Sequence, residues 1–170
     1  MKTSFSVKRL TADALLIAAA MILSYVESLV PLSVAVPGIK MGLANIAVVF
    51  TLYRAGTCDA FFVSILRVIL ISALFGTFVS FIYGFSGAAV SLAVMALLKR
   101  SNRFRTFTVS VTGGVVHNLT QIAAAMLILK TDAIVFYLPS LLIAGIISGA
   151  VIGTLAAILV SRIPKGLTAF

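Results

Sequence analysis

Six long apolar segments follow one another along this chain, and they constrain its fold more than any other feature. They lie at about residues 10–29, 38–53, 60–78, 84–98, 107–129 and 134–160. A helix needs about 20 apolar residues to cross the hydrocarbon core of a bilayer, so the second and fourth segments are short. The segments do not alternate between apolar and polar residues, as the strands of a membrane barrel would. The sequence therefore predicts an all-α integral membrane protein with six transmembrane helices in one domain over residues 1–170.

The composition supports lipid as the solvent of this chain. Of its 170 residues, 62% are hydrophobic and 10% are charged, whereas a soluble domain is about half apolar and a quarter charged. The net charge of +9 would indicate nucleic-acid binding only if the basic residues formed a solvated face. They lie between apolar segments instead, so we expect contact with membrane lipid and no nucleic-acid partner.

The basic residues also predict the orientation of the chain, because Lys and Arg in short loops mark the cytoplasmic side. With the N-terminus inside, the outer side carries Lys40 and Lys130, and Arg67 lies within a span. The remaining basic residues then fall on the cytoplasmic side: Lys2, Lys8, Arg9, Arg54, Lys99, Arg100, Arg103, Arg105, Arg162 and Lys165. Both termini are therefore predicted to be cytoplasmic, which requires an even number of spans.

Two connecting stretches need a separate interpretation. The first ten residues, MKTSFSVKRL, are typical of the start of a signal peptide. The apolar run after them contains Asp13 and precedes five further segments, which favours an uncleaved first helix. The connection SLVPLSVAVPGIK after this helix is apolar and broken by prolines. It either folds back over the helix bundle or runs along the membrane interface.

Small residues recur every four positions in two of the segments. In the sixth segment the stripe comprises Gly145, Gly149, Gly153 and Ala157, and in the first it comprises Ala14 and Ala18. Such stripes let another helix approach closely. For the sixth segment we expect packing inside the bundle. For the first, packing inside the bundle and docking of a partner protein remain equally good alternatives.

Polar and ionisable residues inside the apolar segments are candidates for a binding site. A charged side chain at mid-membrane costs about 2.5–3.5 kcal/mol on insertion scales, so such residues usually face the protein interior. By depth, one set shares the middle and outer half of the predicted bundle: Glu27, Asn45, Arg67, His117, Asn118 and Gln121. Arg67 offers a planar fork of donors for an anionic or carbonyl group. A polar cavity open to the outside would place residues in this way.

The same residues have a second interpretation, in which they only satisfy one another and tie the helices together. An ion pair between Arg67 and Glu27 would be its main element. For Arg67 and Asn45 the two interpretations are evenly balanced. For His117 and Gln121 we favour the cavity.

Nothing in the sequence indicates a catalytic or metal centre. The acidic residues Asp13, Glu27, Asp59 and Asp132 are isolated, whereas a metal-dependent prenyl transferase needs clustered carboxylates to hold magnesium on a diphosphate. The chain has no P-loop, and its one cysteine, Cys58, lacks metal-ligand spacing to the one histidine. We therefore expect no enzymatic activity, no catalytic residues, no metal and no cofactor.

Four stretches together carry a resemblance to a known family. They are PGIKMGLANIAVVFTLYRAG, SILRVILISALFGTFVSFIYGFSGAAVSLAVMALLKR, GGVVHNLTQIAAAMLILKT and YLPSLLIAGIISGAVIGTL. With its LANI, LRV, HN-xx-Q and YLP segments, nearly the whole chain resembles the Gx transporter family, also labelled heptaprenyl diphosphate synthase component I. That family in turn resembles the substrate-binding S components of energy-coupling factor transporters.

The resemblance implies several properties. It implies six helices with the N-terminus inside, in the plasma membrane of a bacterium, and a loop that caps an outward cavity. It assigns substrate binding to the six polar residues named above. It also implies that Ala14 and Ala18 dock on a transmembrane coupling subunit that works with an ATPase pair.

Three functions then compete. The first is an S-component-like subunit that takes up a small molecule. The second is a non-catalytic membrane subunit for isoprenoid or quinone synthesis, which binds a prenyl chain and recruits a soluble synthase through its basic loops. The third is a membrane anchor that handles a quinone or flavin.

Overall fold

The computed structural model describes residues 7–29 and 42–163. Within these ranges the chain is helical and contains no strand. Most of the apolar connection after the first segment, including Lys40, lies outside the described residues, as do Lys2 and Lys165. The helices are α1 (Val7–Leu29), α2 (Asn45–Arg54), α3 (Thr57–Phe75), α4 (Phe78–Arg100), α5 (Thr106–Leu129) and α6 (Leu138–Arg162), with a 3-10 helix (Asp132–Tyr137) directly before α6.

Five stretches of helix are long and apolar enough to cross a membrane. They are Val7–Glu27, Thr57–Phe75, Phe81–Arg100, Thr106–Leu129 and Asp132–Arg162. In a bilayer every backbone polar group must be satisfied within the protein, and a helix does this within its own segment. Large side chains such as Leu15, Leu127 and Ile147 are mostly exposed on the outside of the bundle. The chain therefore has the architecture of a multi-pass membrane protein in contact with lipid.

Helix α2 differs from the other five helices. It has ten residues and is about 15 Å long, which is half the thickness of a hydrocarbon core. It begins at Asn45, whereas the second apolar segment starts near residue 38; residues 38–41 lie outside the described ranges. Gly42 has a φ of +71°, which is incompatible with a right-handed helix at that residue.

The apolar residues of α2 face protein. Every residue from Ile46 to Leu52 is buried, and α2 packs against α1, α3 and α6. Val49 and Leu52 are among the most buried side chains and belong to a core that includes Leu92 of α4 and Val109 of α5. The second segment is therefore apolar because it forms the centre of the bundle.

The turn between α3 and α4 lies nearer the end of α3 than the apolar segments suggest. Helix α3 ends at Phe75, Gly76 is extended, and α4 begins at Phe78. The predicted fourth segment began only at Gly84, but glycine is common in membrane helices, and here it lies inside α4. Its position is close to α3, since a Cβ on Gly84 would lie 3.6 Å from Val68 Cγ1.

The glycine stripe of α6 packs against α5, in agreement with the prediction. A Cβ on Gly149 would lie 2.7 Å from Val111 Cα, and a Cβ on Gly153 would lie 3.0 Å from Phe107 Cα. On α5, a Cβ on Gly114 would lie 2.5 Å from the carbonyl oxygen of Gly145. Backbone meets backbone along this contact, which only glycine allows.

One end of the bundle, which we call the basic end, is held together by cationic side chains. Arg54 at the end of α2 donates to the carbonyl oxygens of Val160 and Ile163 at the end of α6. Lys99 of α4 donates to the carbonyl oxygen of Leu52. Carbonyl groups in the last turn of a helix lack internal partners and carry partial negative charge. Two of the predicted cytoplasmic cations thus link three helix ends.

Helices α1 and α3 start at the basic end. Arg9 donates to Asp59 Oδ1 from Nε at 3.1 Å and from Nη2 at 2.5 Å. Among the described residues this is the only ion pair. It joins the first turns of α1 and α3.

Candidate functional site

Glu27 lies at the end of α1, opposite the basic end, and holds the turn that precedes α2. Its carboxylate accepts hydrogen bonds from the backbone N–H of Gly42 at 2.6 Å and of Leu43 at 3.2 Å. Hydrogen bonds to a charged acceptor are stronger than neutral ones. Both carboxylate oxygens are therefore engaged by the backbone, and they fix the position at which α2 begins.

Asn45 and Arg67 connect α2 to α3. Asn45 is the first residue of α2, and its Oδ1 accepts a hydrogen bond of 3.1 Å from Arg67 Nη2. The Arg67–Glu27 ion pair considered from the sequence is not formed as a direct contact, although the two charges are close enough to interact electrostatically. Asn45 and Arg67 are thus joined directly, and Glu27 is linked to Asn45 through the backbone of Gly42, which binds both.

His117 and Gln121 lie one turn apart on α5 and face α4 at Gly87. A Cβ on Gly87 would lie 3.0 Å from Gln121 Cγ, 3.0 Å from His117 Cε1 and 3.1 Å from His117 Nδ1. Both side chains are half-buried. The missing side chain of Gly87 therefore provides the space that His117 and Gln121 occupy.

Asn118 lies on a different face from its neighbour His117. Its Nδ2 donates to the carbonyl oxygen of Leu141 in α6 at 2.7 Å, and it would lie 3.0 Å from a Cβ on Gly145. Successive residues of a helix are about 100° apart, so the two side chains diverge. The structure places Asn118 in the contact between α5 and α6.

Two polar atoms are buried without a partner in the same part of the bundle, and the sequence predicted a role for only one of the two residues, Arg67. Tyr83 Oη on α4 and Arg67 Nε on α3 have no hydrogen-bond partner among the described residues. Most buried polar groups in proteins are paired, so each exception calls for an explanation. Tyr83 carries no charge and lies just before the predicted fourth segment, which began at residue 84, whereas the structure includes it in α4.

The small residues of α1 face away from the bundle. Ala14 and Ala18 are exposed, while Asp13, Ile17 and Ala20 are buried on another face of the helix. Ala20 packs with Ala44 and Ala47 at the start of α2. The stripe of Ala14 and Ala18 is therefore not used for packing within the described part of the chain.

The described residues contain no group of three or more His, Cys, Asp or Glu side chains that could hold a metal ion. The polar groups on α2, α3, α4 and α5 instead provide amide, guanidinium, phenol and imidazole groups. These groups suit reversible binding by hydrogen bonds.

One of three comparisons with known proteins identifies a family. Searches of the curated proteins and of the solved structures gave no match. A family model, described as heptaprenyl diphosphate synthase component I, matches residues 16–159. This range runs from the third turn of α1 almost to the end of α6, and the description names one component of a synthase. The chain belongs to the heptaprenyl diphosphate synthase component I family.

Proposed function

We propose that this protein is a substrate-binding membrane subunit, similar to an S component, of an energy-coupling factor type transporter. It takes up a small molecule through a pocket at the end of the bundle opposite the basic end. The observation that carries the proposal is a set of polar groups on three helices, in the middle of the bundle and in its half opposite the basic end: the Asn45–Arg67 contact, and His117 and Gln121 against Gly87 of a fourth helix. Polar groups of this kind inside a membrane bundle usually mark a substrate pathway.

The proposed site residues have two roles. Arg67, His117 and Gln121 contact the substrate. Asn45 orients the Arg67 guanidinium through its hydrogen bond. Glu27 and Asn118 are positioning residues, because their side chains bind the backbone of the turn before α2 and of α6, respectively.

The proposed partners are a transmembrane coupling subunit and an ATPase pair. The support is the exposed stripe of Ala14 and Ala18 on α1, which offers a close approach to another membrane helix. In this proposal the basic end faces the cytoplasm of a bacterial cell, in agreement with the distribution of Lys and Arg. ATP hydrolysis is then the task of the partner subunits.

A second function is favoured by the family description. A membrane subunit of a prenyl diphosphate synthase would bind a prenyl chain and recruit a soluble catalytic subunit. Its docking surface would be the basic end, where Lys8, Arg100, Arg103, Arg105 and Arg162 are exposed. The two functions differ in the partner, in the surface it uses and in the ligand.

Co-purification of the tagged protein from its own membranes tests the proposal. We expect a coupling subunit and two ATPases to accompany the wild type, and Ala14→Leu or Ala18→Leu to release them. Ala19→Leu is the matched control, since Ala19 is also exposed but points about 100° away from Ala18 around the helix axis. If the complex still forms with Ala14→Leu and with Ala18→Leu, the docking proposal is wrong. Recovery of a prenyl synthase in place of the ATPases would establish the second function.

A further inference from the structure

Among the described residues, two buried hydrogen-bond donors away from the basic end lack an acceptor. Two others without a partner, Tyr53 Oη and Arg54 Nε, lie at the basic end. Arg67 Nε and Tyr83 Oη are both buried and have no partner among the described residues. A guanidinium can only donate hydrogen bonds, and a phenol can donate one. Leaving a buried donor unpaired is costly, because it loses its water without a replacement.

The two donors lie at nearly the same depth on neighbouring helices. Gly84 and Val68 are in contact across α3 and α4, at 3.6 Å from an ideal Cβ to Val68 Cγ1. Tyr83 directly precedes Gly84 in α4, and Arg67 directly precedes Val68 in α3. Since the two helices run in opposite directions, Tyr83 and Arg67 differ in depth by two residues, or about 3 Å.

The surroundings of this pair belong to the site already described. Asn45 binds Arg67 Nη2 and so fixes the guanidinium, leaving the Nε edge unused. Tyr83 lies one turn from Gly87 on the same face of α4, where His117 and Gln121 approach. The pair therefore extends the polar site toward the end opposite the basic end.

Charge restricts what the pair can bind. The positive charge of Arg67 lies within electrostatic reach of the Glu27 carboxylate, which accepts hydrogen bonds from two backbone N–H groups. Since a guanidinium and a carboxylate have opposite formal charges, Glu27 is already a counter-charge for Arg67. An anionic ligand would add a charge without a counter-charge in a medium of low dielectric constant, which is expensive. A neutral acceptor avoids this cost.

We propose that Arg67 Nε and Tyr83 Oη bind a neutral carbonyl oxygen of the substrate, such as that of an amide, imide or ketone. This inference rests on the proposed role of the site in substrate binding. Arg67 supplies the stronger, charge-assisted hydrogen bond, and Tyr83 supplies the second donor. Tyr83 is then a specificity-determining residue that rejects ligands without a carbonyl group, because such ligands leave both donors unpaired.

The test uses thermal unfolding of the full-length protein in detergent with matched probes. One series is nicotinamide, nicotinate and 3-pyridylmethanol, and another is benzamide, benzoate and benzyl alcohol. We expect the amide of at least one series to raise Tm, and its carboxylate and alcohol to have no effect. Arg67→Lys keeps the charge but lacks Nε, and it should weaken amide binding about tenfold. Tyr83→Phe should weaken binding about fivefold.

Tyr83→Phe also separates ligand binding from a structural role. Since the hydroxyl has no partner in the protein, its removal should leave Tm without ligand unchanged or slightly raised. Tyr137→Phe, at an exposed tyrosine, is the control and should keep the amide response. A loss of Tm in ligand-free Tyr83→Phe would show a structural hydrogen bond and overturn the proposal.

Other results would contradict the proposal as well. If carboxylates raise Tm more than amides do, the site binds anions. If no amide raises Tm, the two donors do not bind a carbonyl group. An amide response that persists in both Arg67→Lys and Tyr83→Phe would place binding elsewhere. If the protein binds amides but purifies without an ATPase complex, the proposed role of Arg67 and Tyr83 is supported and the proposed transporter function is contradicted. If the ATPase complex is recovered but no amide binds, only the proposed role of Arg67 and Tyr83 is contradicted.

Discussion

Helices α1 and α6 carry the same pattern of small residues and use it in opposite ways. The glycines of α6 are buried against α5, with backbone atoms under 3.1 Å from ideal Cβ positions. Ala14 and Ala18 of α1 are exposed, and the core face of α1 is formed by Asp13, Ile17 and Ala20. A stripe of small residues therefore predicts a close helix contact but does not say whether the partner helix lies in the same chain.

The largest effect should come from filling the contact of α5 with α6. Gly149→Leu would push a side chain into Val111 Cα and the carbonyl oxygen of Ser110, which an ideal Cβ already approaches to 2.7 and 2.9 Å. Because these are backbone atoms, the helices must separate, and we expect the free energy of unfolding to fall by about 3 kcal/mol. Thermal unfolding in detergent measures it, with Val151→Leu on the exposed face of α6 as the control. Equal stability of the two variants would refute close packing.

A smaller effect is expected at Asn118, which forms a hydrogen bond across the same contact between α5 and α6. Asn118→Leu removes the hydrogen bond to the carbonyl oxygen of Leu141. In a membrane bundle we expect a loss of about 1 kcal/mol in the free energy of unfolding. Gln121→Leu, one turn away on the face toward Gly87, should instead weaken ligand binding with little change in stability. If the two variants show the reverse pattern, the division between positioning and binding residues is wrong.

A substitution at Gly87 tests a glycine that faces side chains of the neighbouring helix, whereas Gly149 faces backbone. In Gly87→Ala the new methyl group would meet Gln121 Cγ and His117 Cε1 at 3.0 Å. Side chains can move aside where backbone cannot, so we expect a stability loss below about 1 kcal/mol. The displaced His117 and Gln121 should bind ligand about fivefold more weakly. The control is Gly84→Ala, whose methyl group would make an ordinary contact of 3.6 Å with Val68, and it should leave binding unchanged.

The smallest effect on stability should come from the exposed stripe of α1. Ala14→Leu enlarges an exposed side chain, so the free energy of unfolding should change by no more than about 0.5 kcal/mol. The same change should abolish co-purification with the proposed coupling subunit. A large loss of stability in Ala14→Leu would mean that the stripe packs within the protein.

Much of the architecture could be predicted from apolar runs, since hydropathy reports long helices well. The role of α2 could not, because a residue buried in protein and a residue facing lipid are equally apolar. Val49 and Leu52 belong to the centre of the bundle, although their segment has the composition of a lipid-facing span.

The candidate site was predictable in depth but not in direction. Glu27, Asn45 and Arg67 were grouped by their distance from the ends of their segments, and the structure connects them. Adjacent His117 and Asn118 share a depth, yet they point to α4 and α6, because the rotation of a helix about its axis is set by its neighbours. Tyr83 was missed because depth arguments select charged and amide side chains.

Native mass spectrometry of the protein gently purified from its own membranes tests the central proposal most directly. We expect an assembly with a coupling subunit and an ATPase pair, carrying a water-soluble small molecule that Arg67→Gln loses. An assembly with a prenyl synthase subunit, carrying a prenyl diphosphate or a quinone, would contradict the transporter role and establish the accessory role in its place.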